Sequence, residues 1–198
     1  SAGTDDDYRF IAFHPQSPNI VYATGKTSRI STDKGLTWTG AQRRISAVYA
    51  GDGNIVYSTG RGTGGALLIY KSADRGATWP TTPLATVPTP SNAEVGQIVV
   101  SPNNPDRLYI AAKPYGVYIV DGARVVLKND AHGLAKGDLG VVGIYVLAVD
   151  PRRPNIVYAG SLPGGLSMGN GVFRSIDSGE SWISIISNLG PDLSIVSL

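Results

Sequence analysis

Cysteine is absent from this 198-residue chain, so a disulfide framework, a thiolate zinc site and a thiol nucleophile are all excluded. Histidine is nearly absent: His14 and His132 are the two copies, too few for a histidine-rich metal site, and no metal is expected. Glutamate is as scarce, with Glu94 and Glu180 set against 13 aspartates, a bias toward turns over helices. Charged residues make up only 16% of the chain, and 17 basic against 15 acidic side chains leave a net charge of +2. A nucleic-acid binder carries a concentrated basic face; the basic residues here are scattered, so nucleic acid is not an expected partner. No apolar run reaches the roughly 18 residues of a membrane helix, and membrane insertion is not expected. Ser1 opens onto a polar segment without a signal-peptide pattern, as expected of a chain whose export signal has been removed.

What is abundant is punctuation. Glycine (25) and proline (13) make up about a fifth of the residues. They fall in a repeating order. Ser31-Thr-Asp33-Lys-Gly35-Leu-Thr-Trp38, Ser72-Ala-Asp74-Arg-Gly76-Ala-Thr-Trp79 and Ser175-Ile-Asp177-Ser-Gly179-Glu-Ser-Trp182 share one box, Ser-x-Asp-x-Gly-x-[Thr/Ser]-Trp, and hold all three tryptophans. A second element lies upstream of the boxes: His14-Pro15-Gln-Ser-Pro18-Asn19-Ile-Val-Tyr22, Ser101-Pro102-Asn-Asn-Pro105-Asp106-Arg-Leu-Tyr109 and Asp150-Pro151-Arg-Arg-Pro154-Asn155-Ile-Val-Tyr158. Asp52-Gly53-Asn54-Ile-Val-Tyr57 is the same element without its prolines, and Ile119-Val-Asp121-Gly122 is a decayed box. Together they mark four units.

Within each unit, apolar runs rich in Val, Ile and Tyr alternate with Gly, Pro, Asn and Asp clusters, which predicts four short strands and no helix. The predicted strands are 8–13, 20–24, 29–32 and 37–39; then 45–50, 55–59, 66–72 and a brief one after Thr78. They continue as 95–100, 107–111, 116–120 and 123–128, and finally 141–149, 156–159, 171–176 and 182–186. Four-stranded units of about 40 to 50 residues in series are the blades of a β-propeller. The expected fold is therefore all-β, a single propeller domain or propeller segment over residues 1–198 with units near 8–40, 45–80, 95–128 and 141–187. Residues 193–198 read as a further inner strand, either closing the ring or opening a fifth blade.

The box has a physical rationale. Its Asp and Ser can accept backbone N–H groups in a tight turn, its Gly permits positive φ, and its Trp offers a large apolar surface to the space between blades. Burying that indole contributes about 2 to 3 kcal/mol. Ser31, Asp33, Gly35 and Trp38, with Ser72, Asp74, Gly76 and Trp79 and with Ser175, Asp177, Gly179 and Trp182, are thus expected to fasten hairpins, since three equivalent copies cannot line one active site.

The pattern resembles the Asp-box, or BNR, repeat of sialidases, sortilin-type receptors and family-74 xyloglucan hydrolases; the Pro-x-x-Pro-Asn-x-Val-Tyr-Ala-Gly element is especially similar to the last two. That resemblance spans nearly the whole chain and implies a propeller, while the function it implies is open, because such repeats serve hydrolases, receptors and assembly factors. A sialidase would further need three clustered arginines and a Tyr-Glu pair. Tyr8-Arg9-Phe10-Ile11 is a faint likeness to that family's early Arg motif without its proline, and no Tyr-Glu pair is apparent.

If strands alternate in direction, the first and third connections of each blade share one face, and these hold the repeated turns. The non-repeating loops then gather on the other face: 25–28, 40–44, 60–65, 80–94, 113–115, 129–140 and 161–170. They carry Lys26, Arg43, Arg44, Arg61, Lys113, Tyr115, His132, Lys136 and Asp138. Arginine with tyrosine suits an anionic or sugar-like ligand, and Arg43, Arg44, Arg61, Lys113 and Tyr115 are the expected ligand contacts. Gly60-Arg-Gly-Thr-Gly-Gly65 joins two strands and opens no helix, so it reads as a flexible loop and not a phosphate site. Glycoside hydrolysis needs two carboxyl groups about 5 to 9 Å apart, for which Asp130 and Asp138 are weak candidates, with Glu94 at a strand entrance.

The sequence reading therefore favours a non-catalytic binding or scaffolding propeller that recognises a carbohydrate or a protein, over an enzyme. Its alternatives are a xyloglucanase- or sialidase-like glycoside hydrolase, present as a fragment or completed by another chain, and a structural subunit of a surface assembly. It expects no cofactor, an extracellular, cell-surface or periplasmic location, and association as a homo-oligomer or with further blades. Asp5-Asp6-Asp7 reads as a disordered acidic terminus more readily than as a calcium site.

Overall fold

A computed structural model describes residues 10–134, 143–161 and 171–185. The architecture is all-β. Sixteen strands form four antiparallel sheets of four, each a simple meander in chain order. The first sheet holds β1 (Phe10–Phe13), β2 (Val21–Thr24), β3 (Ser28–Ser31) and β4 (Thr39–Gly40). The second holds β5 (Ile45–Val48), β6 (Val56–Arg61), β7 (Leu67–Ser72) and β8 (Ala85–Val87). The third holds β9 (Glu94–Ser101), β10 (Asn104–Lys113), β11 (Gly116–Asp121) and β12 (Arg124–Lys128), and the fourth β13 (Ile144–Val149), β14 (Val157–Ser161), β15 (Val172–Ser175) and β16 (Ile183–Ser184). Helical structure among the described residues is limited to two 3-10 turns, Thr63–Gly65 and Asp130–His132.

The chain divides into two compact units, Ser1–Gly62 with Leu67–Thr86, and Thr63–Ala66 with Val87–Leu198. In the first unit Ile20 and Tyr22 of one sheet pack with Ile45 and Val56 of the next, Ala12, Ile30 and Trp79 flanking them. In the second, Tyr109, Ala111, Val117 and Ile119 meet Leu147, Val157, Ala159, Phe173 and Trp182. Middle strands are consequently buried on both faces. Val21-Tyr22-Ala23-Thr24 and Gly116–Val120 are buried throughout, which is why they read as continuous apolar runs instead of alternating ones. The outer strands β4 and β16 are two exposed residues each.

Each upstream element is tied to the turn that follows two strands later by one bond. The backbone N–H groups of Lys34, Arg75 and Ser178 donate to the carbonyls of Asn19, Asn54 and Asn155, at 2.9, 2.8 and 2.8 Å. All three donors have positive φ, between 61° and 64°. Gly122 makes the same bond to the Asp106 carbonyl at 2.9 Å, so the decayed box keeps this tie as a two-residue turn between Asp121 and Arg124.

One predicted strand moves. The fourth strand of the second sheet does not follow Thr78; it begins at Ala85, inside the segment expected to be loop. Pro80 and Pro83 carry no N–H to donate, so the first bond back to β7 comes from Leu84 N–H to the Ile69 carbonyl, at 2.7 Å.

Candidate functional site

The three boxes share one internal geometry. In the first, the Ser31 hydroxyl donates to Asp33 Oδ1 at 2.7 Å while accepting from the backbone N–H groups of Gly35 (2.8 Å) and Asp33 (3.3 Å). Asp33 accepts from the Thr37 backbone N–H at 2.8 Å and from its hydroxyl. Ser72 with Asp74 and Thr78, and Ser175 with Asp177 and Ser181, repeat every one of these bonds. The indole N–H groups of Trp38, Trp79 and Trp182 donate to the carbonyls of Gly35, Gly76 and Gly179, at 3.0, 3.0 and 3.1 Å.

These donors stabilise the ionised carboxylates. Bonds from the Thr37 side chain and backbone, then from Ser31, hold Asp33 at about 2; bonds from Ser72 and Thr78 hold Asp74 at about 2. Desolvation acts against ionisation at Asp177, yet the bonds from Ser181 and Ser175 outweigh it and leave its pKa lowered. A carboxylate held ionised by three such bonds has no proton to give at neutral pH and is spent on holding its own turn.

The residues expected to contact a ligand fall into two groups, one in each unit. In the first, the Arg43 guanidinium lies 3.9 Å from the centroid of the Tyr70 ring, a cation–π contact that fixes the arginine head. Tyr70 is buried, so that ring face serves Arg43 and is not free to stack on a ligand. Arg44 is exposed beside it, and Arg61 ends β6 opposite Leu67. In the second unit Lys113 ends β10 opposite Glu94, and the Tyr115 hydroxyl donates to Asn92 Oδ1 at 2.8 Å. The Tyr118 hydroxyl donates to the Pro88 carbonyl at 3.3 Å, so two tyrosines of one hairpin hold the 88–93 segment. Tyr70 and Asn92 were not singled out from the sequence: a tyrosine inside an apolar strand and an asparagine in a proline-rich loop carry no distinguishing pattern.

Asp130 opens the Asp130–His132 turn, whose His132 carbonyl accepts the Trp182 backbone N–H at 2.8 Å. Asp138 and Lys136, like Asp5-Asp6-Asp7 and residues 193–198, lie outside the described residues. Among the described residues no three His, Asp or Glu side chains come together as a metal site, and no helix is long and apolar enough to cross a membrane.

No protein-family profile matches the chain. A curated relative is the oligoxyloglucan-reducing end-specific xyloglucanase of Emericella nidulans, 30% identical over 124 residues, which are 59% of this chain and 14% of that protein. The GH74 xyloglucanase of Xanthomonas campestris superposes with a TM-score of 0.68 at 19% identity, over 93% of this chain and 31% of its own. YCF48 from Cyanidioschyzon merolae superposes at 0.59 with 17% identity, over 92% of this chain and 57% of its own. PorZ, a surface component of the type-IX secretion system of Porphyromonas gingivalis, gives 0.53 at 14% identity, over 89% and 26%. The structural likenesses describe the fold, which GH74 enzymes and the other blade proteins have in common. This chain spans about a seventh of the curated relative and under a third of the xyloglucanase structure.

The sequence similarity corrects one expectation. A preference for a non-catalytic protein rested on the absence of a recognisable catalytic pair. The curated relative is an enzyme, so kinship with a catalytic family is at least as well supported as kinship with a binding domain.

Proposed function

We propose that this chain contributes blades to a glycoside hydrolase acting on a xyloglucan-type β-glucan, as a segment of a larger propeller or completed by another chain. The similarity to the reducing-end-specific xyloglucanase carries this reading, and the boxes are then Asp-box repeats that hold its blades. Glucan contacts are assigned to Arg43, Arg44 and Arg61 in one unit and, separately, to Lys113 and Tyr115 in the other. Arg43 suits the role because its head is already oriented by Tyr70, so less side-chain freedom is lost when it donates to sugar hydroxyls. Asp130 and Asp138 are the carboxyl groups proposed for acid–base chemistry at the scissile bond. A substrate of this kind places the protein outside the cytoplasm.

The test uses the complete propeller that carries this chain, with xyloglucan oligosaccharides, mass spectrometry of the products and electrophoresis through a xyloglucan gel. The expected result is retardation weakened by Arg43→Ala and Tyr115→Ala, and reducing-end cleavage abolished by Asp130→Asn or Asp138→Asn. Retardation without any cleavage overturns the hydrolase reading, as does indifference to xyloglucan.

A further inference from the structure

In the first unit the 41–44 turn, Ala41-Gln42-Arg43-Arg44 between β4 and β5, is fixed at both ends by one residue. The Ser28 carbonyl accepts the Ala41 N–H at 2.8 Å, and the Ser28 hydroxyl accepts the Ile45 N–H at 2.8 Å. The Thr24 and Ser28 hydroxyls bond each other beside it, and both residues are buried. The guanidinium of Arg43 lies over the Tyr70 ring, 3.9 Å from its centroid. The backbone of this turn and the head of its arginine are therefore held separately.

The equivalent end of the sheet joint in the second unit is apolar. Counted from the tyrosines that close the upstream elements, Thr24 and Ser28 stand where Ala111 and Val117 stand, and Ser58 and Tyr70 where Ala159 and Phe173 do. Those four residues belong to one hydrophobic core. In the first unit all four places carry a hydroxyl, and all four residues are buried. A buried hydroxyl in place of a methyl group adds no stability of its own. What the exchange supplies at Ser28 is the anchor for the turn that carries Arg43.

The N–H donors of Arg43 are unspent. Among the described residues its partner is the Tyr70 ring alone, and neither Lys26 nor Arg44 has an ion pair. The acids of this unit lie elsewhere. Its described carboxylates are Asp33, Asp52 and Asp74, which follow β3, β5 and β7, whereas the 25–27 and 41–44 turns follow β2 and β4. Successive connections of an antiparallel meander alternate ends, so these two turns lie at the end opposite the carboxylates. Their exposed residues are Lys26, Thr27, Gln42 and Arg44: two cations, a hydroxyl and an amide, with no exposed apolar side chain.

We propose that this end of the first unit binds the carboxylate of an acidic saccharide, a hexuronate residue, with Arg43 as its bidentate donor and Lys26 and Arg44 adding to the positive field. A guanidinium held over an aromatic ring keeps its N–H fork for a carboxylate, whose two oxygens match that fork. Turn and head are both placed beforehand, so little side-chain freedom is lost on binding. Thr27 and Gln42 supply polar groups for sugar hydroxyls. A peptide ligand would call for apolar or aromatic anchor pockets, which these turns do not offer. The site rests on the reading of Arg43 as a sugar contact and goes beyond it, because a xyloglucan-type glucan is uncharged and leaves the arginine's charge unmatched.

Titration calorimetry of the complete propeller that carries this chain, with trigalacturonate and with its methyl ester, tests this. The acid is expected to bind at least about tenfold more tightly than the ester, and more weakly as salt rises from about 0.05 to 0.5 M. Arg43→Gln weakens binding of the acid at least about tenfold, and Arg43→Lys, which keeps the charge and loses the fork, recovers part of that loss. Lys26→Gln and Arg44→Gln, at exposed turn positions, each weaken it about two- to threefold and keep a readout should Arg43→Gln fail the circular-dichroism check of folding. No binding of the acid, equal binding of acid and ester, or indifference to Arg43→Gln overturns the proposal. An oligoglutamate bound as tightly as trigalacturonate overturns it in favour of a protein ligand. Xyloglucan cleavage without binding of the acid overturns this site and leaves the hydrolase reading standing; Arg43-dependent binding of the acid without cleavage does the reverse.

Discussion

The Tyr109 hydroxyl donates to the Ser178 carbonyl, 69 residues away, across 3.2 Å. It links the end of one upstream element to the next unit's box, whose Gly179 approaches so closely that a Cβ there would lie 3.0 Å from the Tyr109 ring and 2.9 Å from Ile119. Tyr22 of the first unit also reaches the next sheet but meets a different acceptor, donating to the Gly53 carbonyl of that sheet's upstream element at 2.9 Å. Each of these tyrosines therefore ties its own sheet to the next one within the same unit.

Replacing Tyr109 by Phe keeps the ring and removes this bond, along with the Arg107 Nε contact at 3.2 Å. Arg107 retains Asp121 and the Ser178 carbonyl, so the expected loss is about 1 kcal/mol, read as a lower urea midpoint with an unchanged slope. A midpoint equal to that of the parent would show that the hydroxyl contributes nothing across the joint.

Acid should loosen the boxes. Asp33 and Asp74 titrate near 2 in the folded chain and near the ordinary 3.8 when unfolded, so between these values the unfolded state binds more protons. Their contribution is fully present above about pH 4 and is lost as pH falls toward 2. Urea midpoints at pH 6, 4, 3 and 2 should fall across the last two steps, and Asp74→Asn should flatten that fall. Ser72→Ala, which strands the buried Gly76 N–H, should cost about 1 to 2 kcal/mol at every pH.

Gly96 faces the backbone carbonyl of Tyr145, and a Cβ there collides with main chain that cannot rotate away. Gly96→Ala is expected to destabilise the second unit by about 1 to 3 kcal/mol, measured by thermal unfolding, whereas Gly122→Ala meets no neighbour and suffers only its backbone strain at φ 58°. Equal losses at the two sites would contradict the close approach of β9 to β13.

Much of the fold was legible because its signals are local. Val, Ile and Tyr runs between Pro-Asn and Asp-x-Gly turns placed fifteen of the sixteen strands, and the letters of the decayed box located a turn that keeps the Asp106–Gly122 bond. β8 was displaced because the two prolines after Trp79 delay pairing, an effect that depends on which N–H groups the neighbouring strand needs. The loop contacts were less legible. Arg43 was named from its loop, but Tyr70 beneath it comes from a strand 27 residues later, and only the sheet brings them together. The difference between Trp38, 36% exposed, and Trp182, 4% exposed, is hidden from the letters altogether, since their boxes are identical in pattern.

The third sheet holds its shape with a two-residue turn where each of its siblings carries a full box. A repeat can therefore shed its serine, carboxylate and indole and still count as a full member of the series, provided the single carbonyl tie survives. Any tally of units by recognisable lettering will run short in proteins of this architecture by however many turns have been trimmed in this manner.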